Sequence, residues 1–504
     1  MTAVETLATV AAGFEIAFSL EALLFCFIGV TIGTFVGVLP GVGAMAAVSI
    51  CLPLTFYLDP TIALIMLAGI FYGAQYGSST SSILLNIPGT VTSAVTALDG
   101  YPMTLQGRAG PALFITTITS FIGGSLAILL MMWFAPVVAE FALRFSSAEY
   151  FSIMLLGLIA ASTLSIGSPL KGLTMVVAGL ALGCVGTDLN TGWFRFTFGV
   201  LELGDGLHLV PVAMGLFGVA EILSSVGREQ KFTIDPKSIT LRSLVPTRQD
   251  VRDSVLPTLR GSAVGAGIGA LPGSGAAIAT FMAYALEKRV AKDPSRFGRG
   301  AVEGVASPEA ANNAAVQAAF IPTLSLGIPG DALMAVLIGA MMIHGIVPGP
   351  QFMSEHIDMF GALVASFWIG NVLLLVLNIP LIGLWVRLLA IPYHVLYPAM
   401  LFFIGIGVYS IHNNVFDIYV VVVFGVVGYF LSMFHYPAAP LLLGFILGPL
   451  MEEHLKRTLL ISQGDFMVFL ERPISMTLLA CSALLLLFSL RPLLKSARGR
   501  SPTG

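Results

Sequence analysis

Gly37-Val38-Leu39-Pro40-Gly41-Val42-Gly43 returns, slightly altered, as Gly269-Ala270-Leu271-Pro272-Gly273-Ser274-Gly275. A second pair keeps the same order: Asn86-Ile87-Pro88-Gly89-Thr90, then Leu326-Gly327-Ile328-Pro329-Gly330. Similarity repeated in order at nearly constant spacing marks an internal duplication. The offset from Pro88 to Pro329 slightly exceeds that from Leu39 to Leu271, so the second copy has a short insertion between its motifs. Each Leu-Pro-Gly motif sets a residue without an N–H beside glycines free to take positive φ, which interrupts helical hydrogen bonding.

Composition says where such breaks sit. The chain has 504 residues, 57% hydrophobic and 10% charged, with a mean hydropathy of +0.93. A soluble domain carries about 25% charged residues. Segments such as 114–138 and 360–385 lack acidic and basic side chains and are long enough to cross roughly 30 Å of hydrocarbon as helices. No alternation of apolar and polar residues suggests a transmembrane barrel. The expected fold is an all-α polytopic membrane protein with about 12–15 hydrophobic segments. In the first copy they fall near 18–36, 42–58, 60–88, 110–143, 148–168, 169–187 and 207–226. In the second they fall near 256–271, 275–287, 305–330, 360–387, 392–411, 414–434 and 437–451, with an extra one at 473–490. The division is a first transmembrane repeat at 1–226, a polar linker at 227–255, a second repeat at 256–472, and an extra helix with a basic tail at 473–504.

Loop charge orients the repeats, because Lys and Arg concentrate on the cytoplasmic side. The loop Leu58-Asp59-Pro60 corresponds to one carrying Lys288, Arg289, Lys292, Arg296 and Arg299. Arg108 corresponds to Glu355, His356 and Asp358, and Lys171 to His412 and Asp417. The sign reverses each time, as expected if the repeats are inverted. The linker and the tail with Arg491, Lys495, Arg498 and Arg500 then lie in the cytoplasm, with the N-terminus outside. Residues 1–12 hold Glu5 and no Lys or Arg, so they lack the positive region of a cleaved signal peptide.

Inverted repeats with broken or re-entrant helices are a plan of secondary transporters, whose sites lie near the bilayer midplane. A helix starting after a break offers N–H groups to an anion, and one ending there offers carbonyls to a cation. Pro40, Gly41, Gly43, Pro272, Gly273, Ser274 and Gly275 are therefore candidate substrate ligands, although close packing and kinking also explain Gly and Pro in membrane helices. Ser78, Ser79, Thr80 and Ser81, then Asn86, form a polar stretch in an apolar region. Such groups are costly unless they bond backbone, ligand or water. Counted back from the closing prolines, Tyr72 matches Asn313, which places Asn312 and Asn313 on a second polar wall. The competing reading is interhelical hydrogen bonding. Gly89, Thr90, Glu309, Ser325 and Gly330 are candidate coupling-ion ligands. Glu309 either binds a cation or proton, as a carboxylate at membrane depth does, or caps a helix near Arg299. Asp99 and Asp331, near Pro-Gly turns, are expected as helix caps.

No basic residue lies within a motif, so helix ends and hydroxyls would hold an anion. The sequence contains no His-Glu-x-x-His zinc motif, no phosphate loop and no paired-aspartate prenyl pyrophosphate motif, and Gly273-Ser274-Gly275 lacks a histidine partner for serine-protease chemistry. No nucleotide-binding domain is present to drive primary transport, so an ion gradient is the expected energy source. Cys26, Cys51, Cys184 and Cys481 lack metal-ligand spacing and are expected as small buried side chains. A net charge of −3 gives no basic surface for nucleic acid. A passive channel on the same repeats is the alternative, and a membrane enzyme a distant third.

These motifs resemble the TctA family, the large membrane subunit of bacterial tripartite tricarboxylate transporters. The resemblance rests on 37–43, on Tyr76-Gly77-Ser78 through Leu84-Leu85-Asn86-Ile87-Pro88-Gly89-Thr90, and on Ser307-Pro308-Glu309-Ala310-Ala311-Asn312-Asn313-Ala314 with Gly327-Ile328-Pro329-Gly330. It implies residence in the bacterial inner membrane, and symport of a small di- or tricarboxylate with sodium ions or protons. It also implies two partners, a TctC-like periplasmic binding protein and a TctB-like small membrane subunit. No cofactor or metal beyond sodium is expected. Ser78 stands where family members commonly have a second glycine after Tyr-Gly.

Overall fold

The computed structural model describes residues 3–39, 43–164, 168–188, 191–225, 242–272, 275–388 and 393–498. Helices account for nearly all of it; a two-residue antiparallel pairing of β1 (Gly186–Thr187) with β2 (Phe194–Arg195) is a minor feature. The first repeat contains α1 (Ala3–Ala17), α2 (Leu20–Val38), α3 (Gly43–Thr55), α4 (Pro60–Leu85), α5 (Ala94–Leu105), α6 (Ala109–Ala142), α7 (Ser147–Leu164) and α8 (Pro169–Gly183). It ends with α9 (Leu209–Ala213) and α10 (Ala220–Ser225), joined through a π-helical stretch. The second contains α11 (Arg248–Gly269), α12 (Gly275–Val290), α13 (Glu303–Ala318), α14 (Phe320–Leu326), α15 (Ala332–Ile343), α16 (Pro350–Glu355), α17 (Ile357–Asn378) and α18 (Ile382–Leu388). It continues through α19 (Tyr393–His412), α20 (Val415–Met433), α21 (Ala438–Ile461) and α22 (Val468–Glu471), and the extra helix α23 (Pro473–Arg498) follows it. Among the described residues, α2, α4, α6, α17 and α20 are individually long and apolar enough to cross a membrane.

Two helix pairs carry the duplication. Gly29, Gly33 and Gly37 recur every fourth residue along α2, and a Cβ on them would sit 2.4, 2.3 and 2.2 Å from the carbonyl oxygens of Met66, Ile70 and Ala74 on α4. Gly261, Gly265 and Gly269 on α11 stand in the same relation to Ser307, Ala311 and Ala315 on α13, at 2.1, 2.3 and 2.3 Å. Small residues at this spacing let two backbones touch, which is how helices associate where lipid supplies no hydrophobic drive. The breaks match as well. Asn86 and Gly327 end α4 and α14 in the left-handed conformation, with φ of 56° and 70°. Gly43 and Gly275 open α3 and α12 with φ of 72° and 66°, a region glycine enters without steric cost.

The copies run in opposite directions. The end of α5 lies against the segment before α13, where the Gln106 amide donates to the Arg299 carbonyl at 2.8 Å. At the far end α15 packs on α3 and α4. The path through α4 and α5 is therefore antiparallel to that through α13, α14 and α15. Outside this core the repeats interlock. α8 of the first packs on α21 of the second, with Gly179 against the Leu441 carbonyl and Gly444 against that of Val176. Conversely, α20 packs on the α9–α10 segment, with Gly215 against Val421 and Gly428 against Leu216.

Several elements differ from the hydropathy reading. α11 begins at Arg248 inside the expected linker; Arg248, Asp250, Arg252 and Asp253 hide two helical turns whose start is fixed by a Thr247–Asp250 capping box. α1, α5 and α15 are not among the expected blocks. Of the cysteines only Cys26 is buried; Cys51 and Cys184 are half-buried and Cys481 is exposed.

Candidate functional site

Glu309 lies in the interior of α13, not at its end, and is fully buried. Its carboxylate reaches into the first repeat. Ser79 of α4 donates to it at 2.8 Å, Ser120 of α6 at 3.3 Å, and Thr96 of α5 makes a further short bond. No Lys or Arg pairs with Glu309 among the described residues. Asn313, one turn on, donates to Ser120 Oγ at 2.7 Å and to the Glu309 carbonyl at 3.2 Å. Three hydroxyls from three helices therefore meet one carboxylate where the repeats face each other. A hydroxyl both donates and accepts, so this ring can hold a carboxylate, a carboxylic acid, or a cation shared between carboxylate and hydroxyl oxygens.

Asn312, beside Glu309 on α13, is fully buried, and both polar atoms of its amide lack a hydrogen-bond partner among the described residues. An unpartnered buried amide costs about 1–3 kcal/mol and calls for an explanation, such as a ligand or ordered water. Gln317 Oε1 is also buried and unpartnered.

Each hairpin tip rests on the break of its own repeat. The Gly275 N–H donates to the Gly330 carbonyl at 3.3 Å, and Gly43 approaches Gly89. Thr90 is tied back onto α4: its hydroxyl donates to Ser78 Oγ at 3.0 Å and lies 2.8 Å from that of Thr92, which donates to Gln75 Oε1 at 2.9 Å. The end of α14 also borders a cavity of about 610 Å³, lined in part by Leu326, Gly327, Pro348, Tyr150, His454 and Arg457.

The other expected ligands sit as follows. Pro40, Gly41, Gly273 and Ser274 lie outside the described residues, while Pro272 is half-buried just after α11. The Ser81 hydroxyl donates to the Ser78 carbonyl within α4, and Thr80 is buried on the same helix. Asn86 terminates α4. Ser325 points elsewhere, donating to the Ala135 carbonyl at 2.9 Å and so fastening α14 to α6. Asp331 caps α15 through the Met334 N–H at 2.9 Å, as expected. Asp99 does not cap its own helix. From the interior of α5 its Oδ1 accepts from the N–H groups of Gly298, Gly300 and Ala301 at 2.9, 2.9 and 2.8 Å, and its Oδ2 accepts from Tyr284 Oη at 2.9 Å. Thr96 and Ser120, which hold the Glu309 carboxylate, are not among the residues expected from sequence. Thr116, Thr117, Thr119 and Ser120 stand together in a largely apolar α6, as the serine run does on α4.

Two relatives share the chain's length or half of it. It is 48% identical over 97% of both chains to an Agrobacterium vitis protein described as an uncharacterized 52.8 kDa protein in the TAR-I ttuC' 3' region. It is 50% identical, over 46% of this chain and 96% of the other, to an uncharacterized protein in the TAR-II ttuC' 3' region of the same organism. No solved structure matches. The model of the family described as "Tripartite tricarboxylate transporter TctA family" matches residues 23–443, most of the chain and both repeats. The chain therefore belongs to the tripartite tricarboxylate transporter TctA family.

Proposed function

We propose that this multi-pass membrane protein is a secondary active symporter importing a small di- or tricarboxylate, driven by a sodium or proton gradient. One observation carries the reading: Glu309, fully buried and without a basic partner among the described residues, is held by hydroxyls of the opposite repeat. Isolated carboxylate charge in such a place costs several kcal/mol. A proton or a sodium ion removes that cost. The unpartnered Asn312 amide beside it provides a neutral donor and acceptor for the substrate. The N–H groups at the starts of α3 and α12 supply the positive potential that no Arg or Lys provides.

In this account a TctC-like periplasmic protein delivers the carboxylate, and a TctB-like small membrane subunit completes the assembly. The chain resides in the bacterial inner membrane, N-terminus in the periplasm and C-terminus in the cytoplasm. With that orientation the 610 Å³ cavity at the end of α14 would open on the periplasmic side, as an access route. The decisive experiment is uptake of labelled carboxylate by proteoliposomes holding this chain and its small-subunit partner, with the binding protein outside. Accumulation above the bath concentration that collapses with an ionophore supports symport. Simple equilibration, insensitive to ionophore, would indicate a passive channel instead.

A further inference from the structure

We propose that His208, His412 and Asp417 form a site for one divalent transition-metal ion of the zinc class, away from Glu309 and outside the transport reading. Three separate segments supply the ligands. His208 immediately precedes α9, His412 is the last residue of α19, and Asp417 stands in the first turn of α20. Lys171 meets the opposite end of α20 through the Phe434 carbonyl, so the cluster lies at the end of α20 away from Lys171.

The two imidazoles face one carboxylate. His208 Nδ1 lies 3.1 Å from Asp417 Oδ1 and His412 Nδ1 2.8 Å from Oδ2. The rings stack with centroids 4.0 Å apart at 24°, and one ligand atom from each residue falls within 4.8 Å of the others. Bonds of roughly 2.0–2.1 Å put neighbouring tetrahedral ligands roughly 3.3 Å apart, so small rotations of these side chains would admit an ion. Among the described residues no other group of His, Cys, Asp and Glu converges this way.

The surroundings also favour a cation. Asp417 is 2% exposed, and its ion-pair partners are the two imidazoles, with no Lys or Arg. A cavity of about 240 Å³ opens beside it, lined by Glu202, Asp205 and Asn414 among others, with no basic residue other than His208. That space leaves room for water to complete the coordination. Two imidazoles and a carboxylate suit zinc, nickel, copper and iron; the absence of thiolate argues against copper(I), and the imidazoles against calcium or magnesium. The bound ion would fasten the α19–α20 hairpin to the segment entering α9, on which α20 packs.

The test uses full-length protein in detergent, stripped with a chelator and desalted, then titrated with zinc sulfate against a chromogenic competitor. The wild type is expected to bind one tight equivalent, melt at a higher temperature with zinc, and show about two nitrogen ligands at roughly 2.0–2.1 Å by X-ray absorption. His208→Gln and His412→Gln keep an amide donor for Asp417 but lose the imidazole. Each is expected to bind at least about tenfold more weakly, since loss of a mere outer-shell partner already costs that much. Equal affinity in wild type and both variants, or wild-type binding without nitrogen ligands or a melting shift, would show a hydrogen-bonded clasp only and overturn the site. The chelated wild type gives a readout even if a variant fails to fold.

Discussion

Glu309 and Asn312 are neighbours on α13 with opposite circumstances: the carboxylate has three hydroxyl donors, while the amide has no partner among the described residues. The account gives them different tasks, and substitution separates these. Asn312→Ala removes a group that contributes no bond to the fold, so its melting temperature should match or exceed the wild type. Its KM should rise about tenfold or more, because a hydrogen bond to a charged ligand is worth about 1.5–3 kcal/mol. An unchanged KM would remove Asn312 from the substrate site. Asn313 bonds to Ser120 and to the Glu309 carbonyl, so Asn313→Ala should lower both uptake and the melting temperature; a wild-type melt would contradict that structural share. The sequence marks this site through Glu309 and the serine run, since charge and hydroxyls in an apolar segment stand out. It does not reveal which hydroxyls turn inward. Ser79 crosses to Glu309 while Ser81 bonds its own helix, a matter of position around α4 that composition alone does not carry.

At the scale of elements, the glycine rows of α2 and α11 set how closely their partners approach. Gly265→Ala would drive a methyl group to 2.3 Å from the Ala311 carbonyl, whereas Gly267, on the same helix, has nothing within 4 Å. The first substitution should destabilise by about 1–3 kcal/mol. The second should be neutral or stabilising by up to about 1 kcal/mol from helix propensity. Melting of the purified variants checks the pair, and equal effects would contradict the packing. Asp99 joins the repeats by accepting three backbone N–H groups near α13. Asp99→Ala should cost about 1–3 kcal/mol for each group left unpaired, seen as a clear fall in melting temperature; a wild-type melt would mean water replaces the carboxylate. Hydropathy located most long helices because their apolar runs are continuous. It passed over α5 and α15, which follow the breaks and are only 12 residues each.

On the scale of the whole molecule, a central unit of matched hairpins and broken helices carries Glu309, and interlocked outer pairs surround it, α8 with α21 and α20 with the α9–α10 segment. In the proposed symport account, coupling depends on Glu309 more than on any other residue. The most direct measurement compares wild type and Glu309→Gln in proteoliposomes, following both ion-driven accumulation and exchange of labelled for unlabelled carboxylate. The amide keeps the hydrogen-bonding ring but can neither ionise nor offer a charge to sodium. The account predicts that Glu309→Gln still exchanges substrate across the membrane but no longer accumulates it against a gradient. Accumulation at the wild-type rate and to the wild-type level would contradict it.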